Sequence, residues 1–88
     1  MTPPALFADV ARVLADVFGV EPAGIRPESS PDTIEAWDSV QHLNAIIALE
    51  QEFDVRFTPE EIEDAVTAQA VAEIVGRKRT ATDRKSVV

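Results

Sequence analysis

The chain has 88 residues, no cysteine and one histidine, His42, so it supports a single small domain with no disulfide, no thiolate nucleophile and no metal site of the usual His/Cys kind. Sixteen acidic residues oppose eight basic ones for a formal charge of −8, and residues 1–76 hold fifteen of the acids with only Arg12, Arg26 and Arg56. Such a body repels nucleic acid and anionic membranes and steers toward basic protein surfaces within a Debye length of ~8–10 Å.

Over residues 4–18, Leu6, Phe7, Val10, Val13, Leu14 and Val17 recur at helical spacing, with Asp9, Arg12 and Asp16 on the other face. This predicts a first amphipathic helix, ended by Gly19. Pro22, Pro27 and Pro31, with Gly24, Ser29 and Ser30, then exclude a long helix before Trp37. The stretch is a long connection, with Val20, Ile25, Ile34 and Trp37 expected to pin it to the core.

Asp38 is a suitable N-cap and Gln41 stands three residues on, the spacing of a capping box, so a second helix is expected from there to about Phe53. Its apolar residues Val40, Leu43, Ala45, Ile46, Ile47, Leu49 and Phe53 cover more circumference than one buried stripe requires. Some must be exposed, and exposed apolar residues suggest docking.

Thr58-Pro59-Glu60-Glu61 is another helix start, with Thr58 as cap, Pro59 at the first position and Glu61 reaching back; the helix it begins is short. Thr67 caps a last helix whose apolar face is Ala68, Val71, Ala72, Ile74 and Val75, with Gly76 as the expected stop. Arg77, Lys78 and Arg79 complement the negative end of its dipole. No long alternation indicates a strand and no repeat is visible, so the expected fold is all-α: a small four-helix bundle of three longer helices and one short one, with a long first loop. Residues 1–78 form the domain, and residues 79–88 a flexible basic tail.

Met1-Thr-Pro-Pro lacks the charged start and apolar run of a signal peptide, and no apolar stretch approaches the ~20 residues of a membrane span. A soluble, cytoplasmic monomer is expected, with neither nucleic acid nor membrane among its partners.

Ser39 falls in the first turn of the second helix, where unpaired backbone N–H groups and the positive end of the macrodipole would stabilise an attached phosphate. Ser39 and His42, three apart, could mimic a nucleophile with its base, but no oxyanion site, orienting third group or enclosing pocket accompanies them. Glu60, Glu61, Glu63 and Asp64 lack the alternating ligand order and turn glycine of a calcium loop, and read as a solvated face. Trp37 reads as an anchor of the long loop, with contact to a prosthetic arm as the rarer alternative.

Four signals in fixed order carry a family resemblance: Asp38-Ser39-Val40, the helix end from Ala48 through Glu50 and Phe53 to Asp54, Phe57-Thr58-Pro59-Glu60-Glu61, and Thr67-Ala68-Gln69-Ala70. Over roughly residues 4–76 the chain resembles the acyl carrier protein family. The resemblance implies that Ser39 carries 4′-phosphopantetheine, attached from coenzyme A by a phosphopantetheinyl transferase with Mg²⁺, and that the imported thiol bears acyl groups as thioesters. It implies a carrier without catalytic activity of its own, shuttling intermediates between acyl-transferring or condensing enzymes. Asp38 matches the acid before the serine, as helix cap and in transferase recognition. Val40, Leu43, Ile47 and Glu50 match the recognition helix, with Ile62 and Glu63 on the short helix beside it, whereas Ile46, Leu49 and Phe53 match core positions.

Asn44 and Gln51 stand where many fatty acid synthesis carriers have acids, and Trp37-Asp38-Ser39 resembles freestanding carriers of polyketide, hybrid peptide or surface-glycan assembly. Specialised metabolism is therefore the expected setting. An aminoacyl or peptidyl carrier of a nonribosomal pathway, a fatty acid synthesis carrier and an unmodified interaction module are the rival readings.

Overall fold

The computed structural model describes residues 4–87, with side chains described over 5–78. Four α-helices follow in order: α1 Pro4–Phe18, α2 Ser39–Phe53, α3 Pro59–Asp64 and α4 Ala68–Val87. A single 3₁₀ turn, Pro22–Gly24, interrupts the long first loop, and no strand occurs among the described residues. The all-α, four-helix architecture is the one expected.

The apolar spacing of α1 turns Leu6, Val10, Leu14 and Phe18 inward, where they are buried with Ala11 and Ala15. α1 packs against both α2 and α4, and α2 packs against α4. Leu49 of α2 and Val71 and Val75 of α4 are among the best-buried positions, each worth ~1.5–3 kcal/mol relative to exposure. The connection between α2 and α3 adds Val55 and Phe57 to this core.

Two helices end in the same way. Gly19 takes φ +70 and Val20 N–H donates to Ala15 O at 3.0 Å, closing α1. Asp54 takes φ 55 and Val55 N–H donates to Glu50 O at 3.1 Å, closing α2 with a residue type that tolerates the left-handed region better than most. The chain thus turns sharply out of α1, and Val20 is left 38% exposed rather than pinned to the core as expected. Ile25 and Trp37 are buried and Ile34 packs against the core, so the other three anchors hold.

The long loop is ordered by its own hydrogen bonds. Ser29 is buried, its Oγ accepts from Arg26 N–H at 2.8 Å, and its carbonyl accepts from Ala68 N–H at 2.9 Å. Gln69 N–H donates to Pro27 O at 3.0 Å, and Thr67 Oγ1 accepts from Ala70 N–H at 3.0 Å. Three donors at the start of α4 are thereby satisfied, two of them by loop backbone and one by the Thr67 cap.

Gly76 does not stop α4, which runs on to Val87. A Cβ at residue 76 would lie 3.1 Å from Leu6 Cδ2, so this glycine serves the close approach of α4 to α1 rather than a change of direction. Two residues past the expected stop, Lys78 Nζ reaches the Glu61 carboxylate of α3 at 2.8 Å. The segment expected as a basic tail continues α4 in its backbone through Val87, and its side chains and Val88 lie outside the described residues.

Candidate functional site

Ser39 is the first residue of α2 and is exposed. Asp38 before it is extended, at φ −100 and ψ −175, and its carboxylate accepts from Gln41 N–H at 2.8 Å, as an N-cap should. His42 N–H donates to Asp38 O at 2.8 Å, the first bond of the helix proper. Between these two anchored positions the N–H groups of Ser39 and Val40 and the Ser39 hydroxyl have no hydrogen-bond partner among the described residues. The result is an alcohol beside two open donors at the positive end of a four-turn helix.

The capping box expected here is half formed. Gln41 does not reach back to Asp38; its Nε2 donates to Val17 O at 3.1 Å, and its Oε1 accepts from Asn44 Nδ2 at 2.8 Å. A carbonyl near the end of α1, short of an intrahelical partner, outcompetes the local box for the amide. The start of α2 is consequently tied to the end of α1. At α3 the full box is present, with Glu61 N–H donating to Thr58 Oγ1 at 3.2 Å and Thr58 N–H donating to Glu61 Oε1 at 2.8 Å.

Along α2 the apolar residues divide as the helical period requires. Val40, Leu43 and Ile47 are 68%, 54% and 52% exposed, whereas Ala45, Ile46 and Leu49 are buried and Phe53 packs at the core margin. The exposed three, at i, i+3 and i+7, make one stripe running from Ser39 down the helix. The remaining site residues are placed less uniformly. Glu63 is exposed on α3, and Ile62 is half-buried against the core. Glu50 is also half-buried, and its Oε2 accepts from Phe57 N–H at 2.9 Å, holding the connection that leads into α3.

Trp37 and His42 form a feature that neither residue announces alone. Trp37 is 2% exposed, and its ring centroid lies 5.0 Å from that of Phe18. Its Nε1–H donates to His42 Nδ1 at 2.9 Å, and His42 Nε2 lies 2.8 Å from Ile62 O. Both imidazole nitrogens are engaged, so neither serves Ser39 as a base. Trp37 precedes the cap and His42 is the fourth helical residue, the two positions that a hydrophobic staple joins across a helix start. That spacing was the available signal. Val66, 55% exposed just after α3, is a further apolar surface residue that no helical pattern indicates.

The Glu61 carboxyl is held below its ordinary range, chiefly by the hydrogen bond from Lys78 and then by that from Thr58 N–H. Among the described residues no group of three or more His, Cys, Asp or Glu side chains could hold a metal ion. None of the described helices is long and apolar enough to cross a membrane. Two open surface hollows flank α2, one of ≈ 460 Å³ bordered by Arg12, Val13, Asp16, Ala48, Gln51 and Glu52, the other of ≈ 330 Å³ beside Ile47, Glu50 and Arg56. Neither includes Ser39.

No protein-family model matches the chain. Among curated proteins it is similar to the acyl carrier protein of Thermosynechococcus vestitus, with 36% identity over 70 residues, 78% of this chain and 85% of that protein. Among solved structures it is similar to the solution NMR structure of a holo acyl carrier protein from Geobacter metallireducens. The TM-score is 0.81 over 89% of this chain and 90% of that one, at 24% identity, a likeness of fold.

Proposed function

The chain belongs to the acyl carrier protein family, a family of carriers without catalysis of their own, and on that premise we propose that Ser39 is the attachment point of a 4′-phosphopantetheine arm. The observation that carries this reading is an exposed, unpartnered hydroxyl on the first residue of α2, beside the open N–H groups of Ser39 and Val40. These groups suit a phosphodiester: the N–H donors and the helix dipole favour its negative charge, while Asp38 already caps the helix and leaves the serine oxygen unencumbered. Asp38 also presents a carboxylate beside the hydroxyl, where it can help to hold the transferase's Mg²⁺. When bound, the arm supplies the thiol that this cysteine-free chain lacks, and cargo rides on it as a thioester.

The chain's own residues then present that arm. The stripe of Val40, Leu43 and Ile47 offers a small apolar contact beside the tether, with Glu50, Ile62 and Glu63 at its margin, in a body whose charge draws basic partner surfaces. Small interfaces steered by charge form quickly and release quickly, as serial visits to a phosphopantetheinyl transferase and then to acyl-transferring or condensing enzymes require. Trp37-Asp38-Ser39 and the uncharged Asn44 and Gln51 favour polyketide or other specialised biosynthesis over primary fatty acid synthesis. The carrier domain in this reading is residues 1–78, with 79–88 as a basic appendage, acting as a cytoplasmic monomer.

Incubation with coenzyme A, Mg²⁺ and a broad-range transferase should add the mass of one phosphopantetheine. Ser39→Ala should abolish the gain while costing at most ~1 kcal/mol, since Asp38 and not Ser39 makes the cap. A chain that keeps its apo mass beside an active transferase would instead be an unmodified interaction module.

A further inference from the structure

α3 has six residues and none of them is fully buried, so packing alone holds it weakly. Ile62 is its one apolar side chain packed against the core. Its remaining ties are polar: the Thr58 box, the Lys78–Glu61 pair and the bond at Ile62 O. The last of these meets a specific need. Val66 N–H would extend α3 by bonding Ile62 O, but it donates to Asp64 O at 2.8 Å instead. Ile62 O is thereby one of the orphan acceptors of a helix C-terminus, and the imidazole of another helix takes the place of the missing donor.

The proton positions follow from the partners. An indole N–H only donates, so His42 Nδ1 must be bare to accept it at 2.9 Å. A backbone carbonyl only accepts, so Nε2 must carry the ring proton and donate to Ile62 O at 2.8 Å. The two aromatic planes lie 22° apart with centroids at 6.1 Å, which keeps the imidazole aligned with its donor. Trp37 is itself fixed in the core against Phe18. A rigid line therefore runs from the loop residue two before Ser39, through the residue three after it, to the backbone of α3.

We propose that His42, locked as the neutral Nε2–H tautomer by Trp37, is a positioning residue that caps α3 from α2 and sets the place of α3 relative to the Ser39 tether. It goes beyond the carrier reading in naming a device of this chain, and rests on that reading only for its consequence: Glu63 and Val66 would be presented to partners at a fixed spacing from Val40 and Leu43.

The test uses the unmodified full chain. Long-range ¹H–¹⁵N correlation of the His42 ring in mildly alkaline buffer is expected to show an unprotonated Nδ1 and a protonated Nε2. The opposite tautomer, or ring nitrogens averaged between the two, would overturn the proposal. His42→Leu keeps the bulk and removes both hydrogen bonds, and should speed amide exchange at Ile62 and Ala65 by about tenfold while Val10 and Leu14 are unchanged. His42→Gln has an amide oxygen for the indole and an amide N–H for the carbonyl, and should recover most of the protection. Equal exchange in all three proteins would refute the capping role. If His42→Leu fails to fold, the ring spectrum of the unaltered chain and the exchange of His42→Gln decide the matter. None of these measurements needs coenzyme A, so a Ser39 that refuses modification would sink the carrier reading and leave this one standing.

Discussion

Glu50 is asked to do two things, and Glu50→Lys separates them. Its carboxylate accepts from Phe57 N–H at 2.9 Å in a half-buried setting, so lysine removes a charge-assisted bond and leaves a backbone donor without its acceptor. Bonds of that kind are worth ~1.5–3 kcal/mol, and a ~1 kcal/mol loss lowers Tm by roughly 4–8 °C in a domain of 60–100 residues. Glu50→Lys is therefore expected to lower Tm by roughly 6 °C or more in thermal unfolding followed by circular dichroism. Glu50→Gln, which keeps an oxygen acceptor, should lose less than half as much. The docking charge is read separately, by stopped-flow association with a transferase at low and high salt. There Glu50→Lys should associate more slowly, chiefly at low salt, and the exposed Glu63→Lys should do so without the stability loss. A Glu50→Lys protein as stable as the parent would refute the structural assignment. Unchanged on-rates at low ionic strength in both variants would refute the docking one.

Leu43→Ala should leave stability within about 0.5 kcal/mol while weakening partner association, whereas Leu49→Ala on the opposite face should cost ~2–5 kcal/mol in denaturant unfolding. Asp54→Gly is expected to raise stability by a few tenths to about 1 kcal/mol, because residue 54 caps α2 at φ 55, and a loss would mean that its carboxylate matters more than its backbone. The lowered Glu61 pKa implies that the Lys78 pair stabilises the fold in full above about 4.5, the group's ordinary value, and that this contribution is lost as pH falls through the lower folded-state value. Lys78→Met should flatten that part of the acid stability profile, and an unchanged profile would show the pair to be inert.

The starts of α2, α3 and α4 were readable because each is written locally. Asp38, Thr58 and Thr67 each accept from the backbone N–H three residues on, so a four-residue window carries the whole interaction. The stripe of Val40, Leu43 and Ile47 was readable for the complementary reason: α2 carries more apolar residues than one face can bury. What stayed hidden depends on partners distant in sequence. Gly76 has the residue type of a helix stop, yet the proximity of Leu6, seventy positions earlier, decides its role. Gln41 stands in capping-box position, but Val17 O claims its amide. Glu50 has the pattern of a surface acid until Phe57 N–H turns it inward. The link from Trp37 to His42 was within reach of the staple spacing, whereas its extension to Ile62 O, 20 residues on, was not.

Because the carbonyls of Pro27 and Ser29 receive the opening amides of α4, the first loop is a splint as well as a connector. Its route is constrained at two backbone atoms and by the buried Ile25, Ser29 and Trp37, while most of its other side chains face water and are under little packing constraint. An extra residue spliced between Arg26 and Ser29 would shift both acceptors and unfasten the last helix from its first turn, far along the chain from the alteration. The same residue added beside the exposed Glu35 would bulge outward and leave that fastening intact. The two ends of a single connector thus differ in how much length variation they can absorb.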